Sequence, residues 1–141
     1  MINFQLVTLD GTKFGEDVYE VVLPTQDGYI AVFPNHMPLV SLAVPGIISV
    51  RRKAGDSDTH LEYFDTNGGV IEIGDNKVRV LVDEADREQE VNEQEAQAAF
   101  ERARKMRAEA RDRVSLEHAQ SLVDRQASRL RVAELRRRKR R

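Results

Sequence analysis

The sequence predicts a β plus α fold: an N-terminal antiparallel β-sandwich, or flattened barrel, over residues 1–86, then a C-terminal two-helix antiparallel hairpin over residues 87–141. Three observations carry that expectation. All eight Gly and all four Pro lie at or before Gly74, so turn punctuation stops there. Before that point, short β-branched runs recur about every eight to twelve residues, the spacing of a sandwich or barrel. Beyond Asn92, apolar residues recur at three- and four-residue intervals, the period of an amphipathic helix.

The strands follow in order. Ile2, Phe4 and Leu6 alternate with Asn3 and Gln5. Val18 to Leu23 is a β-branched run that ends at Pro24. Asp27-Gly28 marks a tight turn, because Gly accepts the positive φ such turns need. Tyr29 to Phe33 is the next strand, closed by Pro34-Asn35-His36-Met37-Pro38, where two prolines fix the backbone around a polar pair. Leu39 to Val44 and Ile47 to Val50 flank Pro45-Gly46, and Ala54 to Asp58 reads as an exposed tip. Leu61 to Phe64 runs into Asn67-Gly68-Gly69. Ile71 and Ile73 alternate with Glu72, and a turn at Gly74-Asp75-Asn76-Lys77 leads to Val78, Val80 and Val82.

The helices carry their own signals. Asn92, with Glu95 three residues later, is a capping box that opens the first helix. Its apolar face is Ala96, Ala99, Ala103, Met106 and Ala110. The pattern breaks near Arg113-Val114-Ser115, and Ser115 is the expected cap of the second helix. That helix carries Leu116, Ala119, Val123, Ala127 and Leu130, widened by Leu122 and Ala133. Narrow stripes on two long helices predict a hairpin that is marginal on its own and able to open.

Charge divides the chain the same way. Residues 1–86 hold 6 basic and 14 acidic side chains, a balance of −8; residues 87–141 hold 16 and 10, a balance of +6. A basic tail on an acidic body implies an acidic surface for the tail to dock on. With no Cys, neither a disulfide framework nor a thiolate zinc site is possible, and the chain suits a reducing compartment. No secretory signal or membrane span is expected, so any membrane association is indirect.

Five segments resemble the ε subunit family of F-type ATP synthases, of the bacterial and chloroplast type. Leu23 to Leu39 looks like the family's LPT-x-DG-x-x-x-V-x-PNH-x-PLV stretch. Pro45 to Ile48, Asn67 to Ile73 and Asn76 to Asp83 resemble three more of its segments. Leu130 to Leu135 is similar to the LRV-x-EL end of its second helix. Together they span most of the chain in family order. The resemblance implies a non-catalytic central-stalk, or rotor, subunit on the cytoplasmic face of a bacterial plasma membrane or the stromal face of a thylakoid. Its sandwich would bind the γ subunit and the c-subunit ring, coupling proton-driven rotation to ATP synthesis. Its helices would reach the α and β subunits and inhibit ATP hydrolysis.

Site residues follow from the same resemblance. Tyr29, Pro34, Asn35 and His36 align with the γ and c-ring contacts, although Tyr29 replaces a residue that is often Glu in the family. Arg102, Lys105, Arg113, Arg125 and Arg129 align with cations that pair with catalytic subunits in the inhibited state. Some members bind ATP through an (I/L)D-x-x-RA motif that opens the first helix. Here Asn92 replaces its Asp and Glu95 its Arg, and a carboxylate facing a triphosphate repels it, so no nucleotide cofactor is expected. The run Arg136 to Arg141 is denser in charge than is usual in the family, and its last few residues are expected to fray.

No catalytic or metal-binding pattern appears. His36, His60 and His118 lack ligand spacing, and no Gly-rich phosphate loop or nucleophile elbow is present. The rival reading is a nucleic-acid-binding module that uses the basic hairpin. Against it stand the acidic body and the interspersed Glu93, Glu95, Glu101, Glu109, Asp112, Glu117 and Glu134.

Overall fold

The computed structural model describes residues 1–139; of the terminal basic run, Arg140 and Arg141 lie outside the described residues. Ten strands come first: β1 (Ile2–Thr8), β2 (Gly11–Val18), β3 (Glu20–Thr25), β4 (Gly28–Val32), β5 (Leu39–Ala43), β6 (Gly46–Arg51), β7 (Glu62–Thr66), β8 (Gly69–Gly74), β9 (Lys77–Val82) and β10 (Ala85–Arg87). Two helices follow, α1 (Glu93–Glu109) and α2 (Arg113–Lys139). The order along the sheet is β10-β7-β6-β3-β5-β8-β9-β1-β2, with β4 on the free edge of β3. Every pair is antiparallel except β1 with β9.

The sheet folds on itself at β3. Glu20 to Val22 pair with β6, whereas only Thr25 reaches β5, at Ala43. One edge of β3 therefore serves two sheets, and the chain crosses between them through Val44-Pro45, where proline lacks the N–H a ladder would use. The apolar core lies between the two. Phe4, Leu6, Val78 and Val80 come from one side; Val21, Leu23, Ile48, Val50 and Phe64 come from the other. Phe14 packs on Phe4 and Phe64, with ring centroids 5.5 and 5.6 Å away.

Two strands escaped the sequence reading. β2 carries only Phe14 and Val18 as buried apolar residues, too few for an alternating signal, and depends on pairing with β1. β10 has three residues, held by β7. The cap of α2 also differs from expectation. Asp112, not Ser115, caps it: Asp112 Oδ1 accepts from the Ser115 N–H at 2.8 Å, and the Ser115 hydroxyl donates to the other oxygen at 3.0 Å. A carboxylate there is also favoured by the positive end of the helix dipole. At α1, Asn92 Oδ1 accepts from the Glu95 N–H at 3.0 Å, which is one half of the expected capping box; the return bond from the Glu95 side chain does not form among the described residues.

Candidate functional site

Two surfaces stand apart from an ordinary solvated exterior. The first is apolar and lies outside the sandwich core. β4, the loop after it and β5 expose Tyr29 (59%), Met37 (72%), Val40 (74%) and Leu42 (55%), with Phe33 and Leu39 also exposed. Across the outer face, Leu42 stands opposite Val70, Val70 opposite Leu81, and Leu81 opposite Val7. Directly opposed residues share a face, so these four form one apolar row across four strands. Leu9 extends it, 81% exposed in the β1–β2 turn. A lone exposed Leu needs no explanation, but a contiguous apolar row marks a contact surface.

The backbone around this surface is fixed by close packing. The Tyr29 hydroxyl accepts from the Ile47 N–H at 3.2 Å. A Cβ on Gly46 would lie 2.7 Å from Pro24 Cβ and 2.9 Å from the Tyr29 hydroxyl, so only glycine lets the three meet. Asn35 has φ 67°, a left-handed conformation that Asn tolerates better than most residues. Its N–H donates to Asn76 Oδ1 at 2.6 Å, which pins the Pro34–Pro38 loop to the β8–β9 turn. That turn has positive φ at Asp75 and Asn76, as a two-residue hairpin turn requires. His36 is half-buried, with Nδ1 2.6 Å from the Met37 carbonyl. Pro34, Asn35 and His36 thus sit together at one end of β4. Tyr29 sits roughly 13 Å away along the strand, at the other end.

Phe33, Met37, Val40 and Leu42 are the interface candidates that sequence reasoning overlooked. Their signal was available: Leu39-Val40-Ser41-Leu42-Ala43 is apolar at both parities, which means a strand covered on both faces.

The second surface is where α2 rests on β6 and β7. A small apolar cluster joins Ile47, Tyr63 and Val91 to Val132 and Ala133, with Leu61 and Leu135 at its edge. Charged groups surround it. Arg125, 7% exposed, brings Nε within 2.9 Å of Asp65 Oδ2 and Nη2 within 3.2 Å of Asp86, with Glu84 at 3.6 Å. Arg129 pairs with the same Asp86 oxygen at 2.8 Å. Asp65 is fully buried, and neither of its oxygens makes an aligned hydrogen bond among the described residues. Burial therefore outweighs the pull of Arg125 and pushes the Asp65 carboxyl up to about 6.

The other cations named from the sequence lie elsewhere. Arg102 and Lys105 are exposed on α1; Arg113 is exposed at the start of α2 and pairs with Glu117 at 2.9 Å. The buried face of α2 departs from the expected stripe. Ala119, Val123 and Ala133 are buried, but Leu116 and Ala127 are exposed, and Arg125 and Ser128 are buried in their place. The acidic surface expected for the basic half is the chain's own sandwich. Among the described residues no group of His, Cys, Asp or Glu could hold a metal ion.

Comparison with known proteins sets this geometry in context. A family model described as ATP synthase, Delta/Epsilon chain, beta-sandwich domain matches residues 1–88. A chain of the Euglena gracilis mitochondrial ATP synthase, solved by cryo-EM as OSCP/F1/c-ring in rotational state 1, is similar with a TM-score of 0.77. Its identity is 20%, over 90% of this chain and 78% of that one. A chain of the Tetrahymena thermophila mitochondrial ATP synthase central stalk and c-ring is similar with a TM-score of 0.64, at 14% identity over 92% and 96%. At these identities the likeness establishes the shared fold.

Proposed function

This chain belongs to the ATP synthase delta/epsilon family, and from that premise we propose that it is a non-catalytic subunit of the central stalk. The sandwich is its docking platform. The observation that carries this reading is the apolar outer face from β4 to β1, joined to the pinned loop at Pro34–Pro38. In this role Val40, Leu42 and the row to Val7 face the γ subunit, while Tyr29 and the loop with Asn35 and His36 meet γ and the c-ring. Tyr29 contributes a large ring with a polar tip rather than a carboxylate, so its c-ring contact depends on packing more than on charge.

The helices supply regulation. In the docked form seen here, Arg125 and Arg129 are engaged by Asp65 and Asp86. Released, they join Arg102, Lys105 and Arg113 as cations for acidic segments of the α and β subunits, and the extended hairpin restrains ATP hydrolysis. ATP is not a ligand of the hairpin in this reading: Asn92 caps α1 and the Glu95 carboxylate occupies the place of a phosphate-binding Arg. No helix among the described residues is long and apolar enough to cross a membrane, and membrane attachment runs through partners on the cytoplasmic side. The nucleic-acid reading draws no support, because Arg125, Arg129, Arg136 and Lys139 face carboxylates and carbonyls of their own chain.

Co-purification with the γ subunit tests the proposal. The full chain is expected to retain γ, and Val40→Glu with Leu42→Glu to weaken binding about 100-fold while leaving the fold intact, since both side chains are exposed. Failure of the unaltered chain to retain γ would overturn the reading.

A further inference from the structure

The only covalent link between sandwich and hairpin runs through a 3₁₀ turn at Glu88–Glu90 and on through Val91 to the cap of α1. For the hairpin to swing away, backbone dihedrals must change within these few residues. The far end of α2, nearly fifty residues later in the chain, is fastened to them. Arg136 Nη1 donates to the carbonyl of Glu88 and, at 2.9 Å, to that of Val91. One guanidinium thus holds both ends of the linker, and a planar, rigid donor cannot follow them if they rotate apart. Lys139 Nζ donates to Glu88 Oε1 at 2.7 Å and to the Leu61 carbonyl at 2.6 Å, and lies 5.5 Å from the centre of the Tyr63 ring. Glu88 is only 5% exposed, and its second oxygen accepts from the Tyr63 N–H at 3.0 Å. Arg137 pairs with Glu93 at the start of α1. The tail therefore touches β7, the linker and α1 at once.

We propose that the cationic end of α2 is a hinge lock, in which Arg136 and Lys139 clamp the linker at Glu88 and Val91 and thereby set how often the hairpin leaves the sandwich. Glu88 is the keyhole: a buried carboxylate held by the sandwich backbone and neutralised by the tail. Without Lys139 it is a buried charge lacking its cation, a costly state that undocking relieves by giving it to water. Arg138 is the internal contrast. It carries the same charge two residues on but pairs with Glu134 in its own helix, at 2.7 Å, and does not cross the hinge. The lock rests on the stalk-subunit reading only for its consequence in the complex, where an easier release means stronger restraint of ATP hydrolysis.

The chain contains no Cys, so a label pair can be placed cleanly. Thr12→Cys on the sandwich and Ser121→Cys on α2 are both exposed. Spin labels on these two positions of the free, full-length chain should give one narrow distance distribution. Arg136→Gln with Lys139→Gln should raise a second, displaced population roughly tenfold or more, since hydrogen bonds to charged groups are lost. Glu88→Gln should do the same from the sandwich side, and it decides the matter should the tail variant fail to fold. Arg138→Gln should leave the single distribution unchanged. A single distribution in both Glu88→Gln and the tail variant would overturn the lock, as would an equal response from Arg138→Gln. Because the measurement needs no partner, a failed lock and a failed γ-binding reading are told apart.

Discussion

The sandwich and the hairpin dock are both interfaces between secondary-structure layers, yet they are held by different chemistry. Between the two sheets the main core is a continuous cluster of apolar side chains, from Ile2 and Phe4 through Ile48 and Phe64 to Val82, with no ion pair among its members. Between α2 and the sandwich, a handful of apolar residues is ringed by Arg125, Arg129, Arg136 and Lys139 against Asp65, Asp86 and Glu88. Apolar burial depends little on salt, whereas ion pairs weaken as charges are screened, partly buried ones less so. The difference suits the two roles proposed above: an apolar platform stays folded, and an arm held largely by ion pairs can be released without unfolding it.

The contrast can be broken most severely from the core. Phe64→Ala removes a fully buried ring in contact with Phe14 and should cost about 3–5 kcal/mol in urea unfolding, with both parts of the molecule lost together. Arg125→Ala should act on the dock alone. It leaves Asp65 buried without its cation, a loss of about 3–5 kcal/mol that hairpin release can relieve. The labelled chain should therefore show undocking, while the unfolding midpoint of the sandwich hardly moves. Replacing both partners, Asp65→Leu with Arg125→Met, should restore docking, because the apolar pair has no charge to desolvate.

A smaller effect sharpens the same contrast through pH. Burial holds the Asp65 carboxyl at about 6, above its ordinary 3.8. A raised value means that the proton favours the folded, docked form. The Asp65 contribution to stability is thus complete below about pH 4 and is lost as pH rises through about 6. Carbon-detected titration of the carboxylates should show Asp65 with a midpoint near 6. Arg125→Ala, which releases the hairpin and gives Asp65 to water, should move that midpoint back down towards its ordinary 3.8, because the burial that raises it is gone.

How much of this was legible in the sequence depends on which chemistry was at work. The sandwich wrote itself into period-two alternation at β1, β8 and β9, and into the turns at Asp27-Gly28 and Asp75-Asn76. β2 was not legible because five of its eight residues are charged or glycine around Phe14, and its strand character comes from its partner. The hairpin wrote itself into three- and four-residue spacing. Which face of α2 would be buried could not be read, because a helix pattern scores Arg125 as exposed unless Asp65 is known to wait beneath it. The charge asymmetry did foretell an acidic dock, but not that Glu88 and Asp65 would be its centre. Of the proposed partner surface, the loop at Pro34–His36 could be picked out as a motif. The row from Leu42 to Val7 was not, because it joins residues from four strands whose register only the fold supplies.

The most direct test of the account is native-state hydrogen exchange of the full chain at low and high salt. The account predicts that amides of β1, β3, β6 and β9 exchange only through global unfolding, at a rate that salt hardly alters. The amides of α1 and α2 should exchange through a smaller opening that becomes more frequent as salt rises. Equal protection of helices and strands, unmoved by salt, would contradict it and make the hairpin a fixed part of one cooperative core.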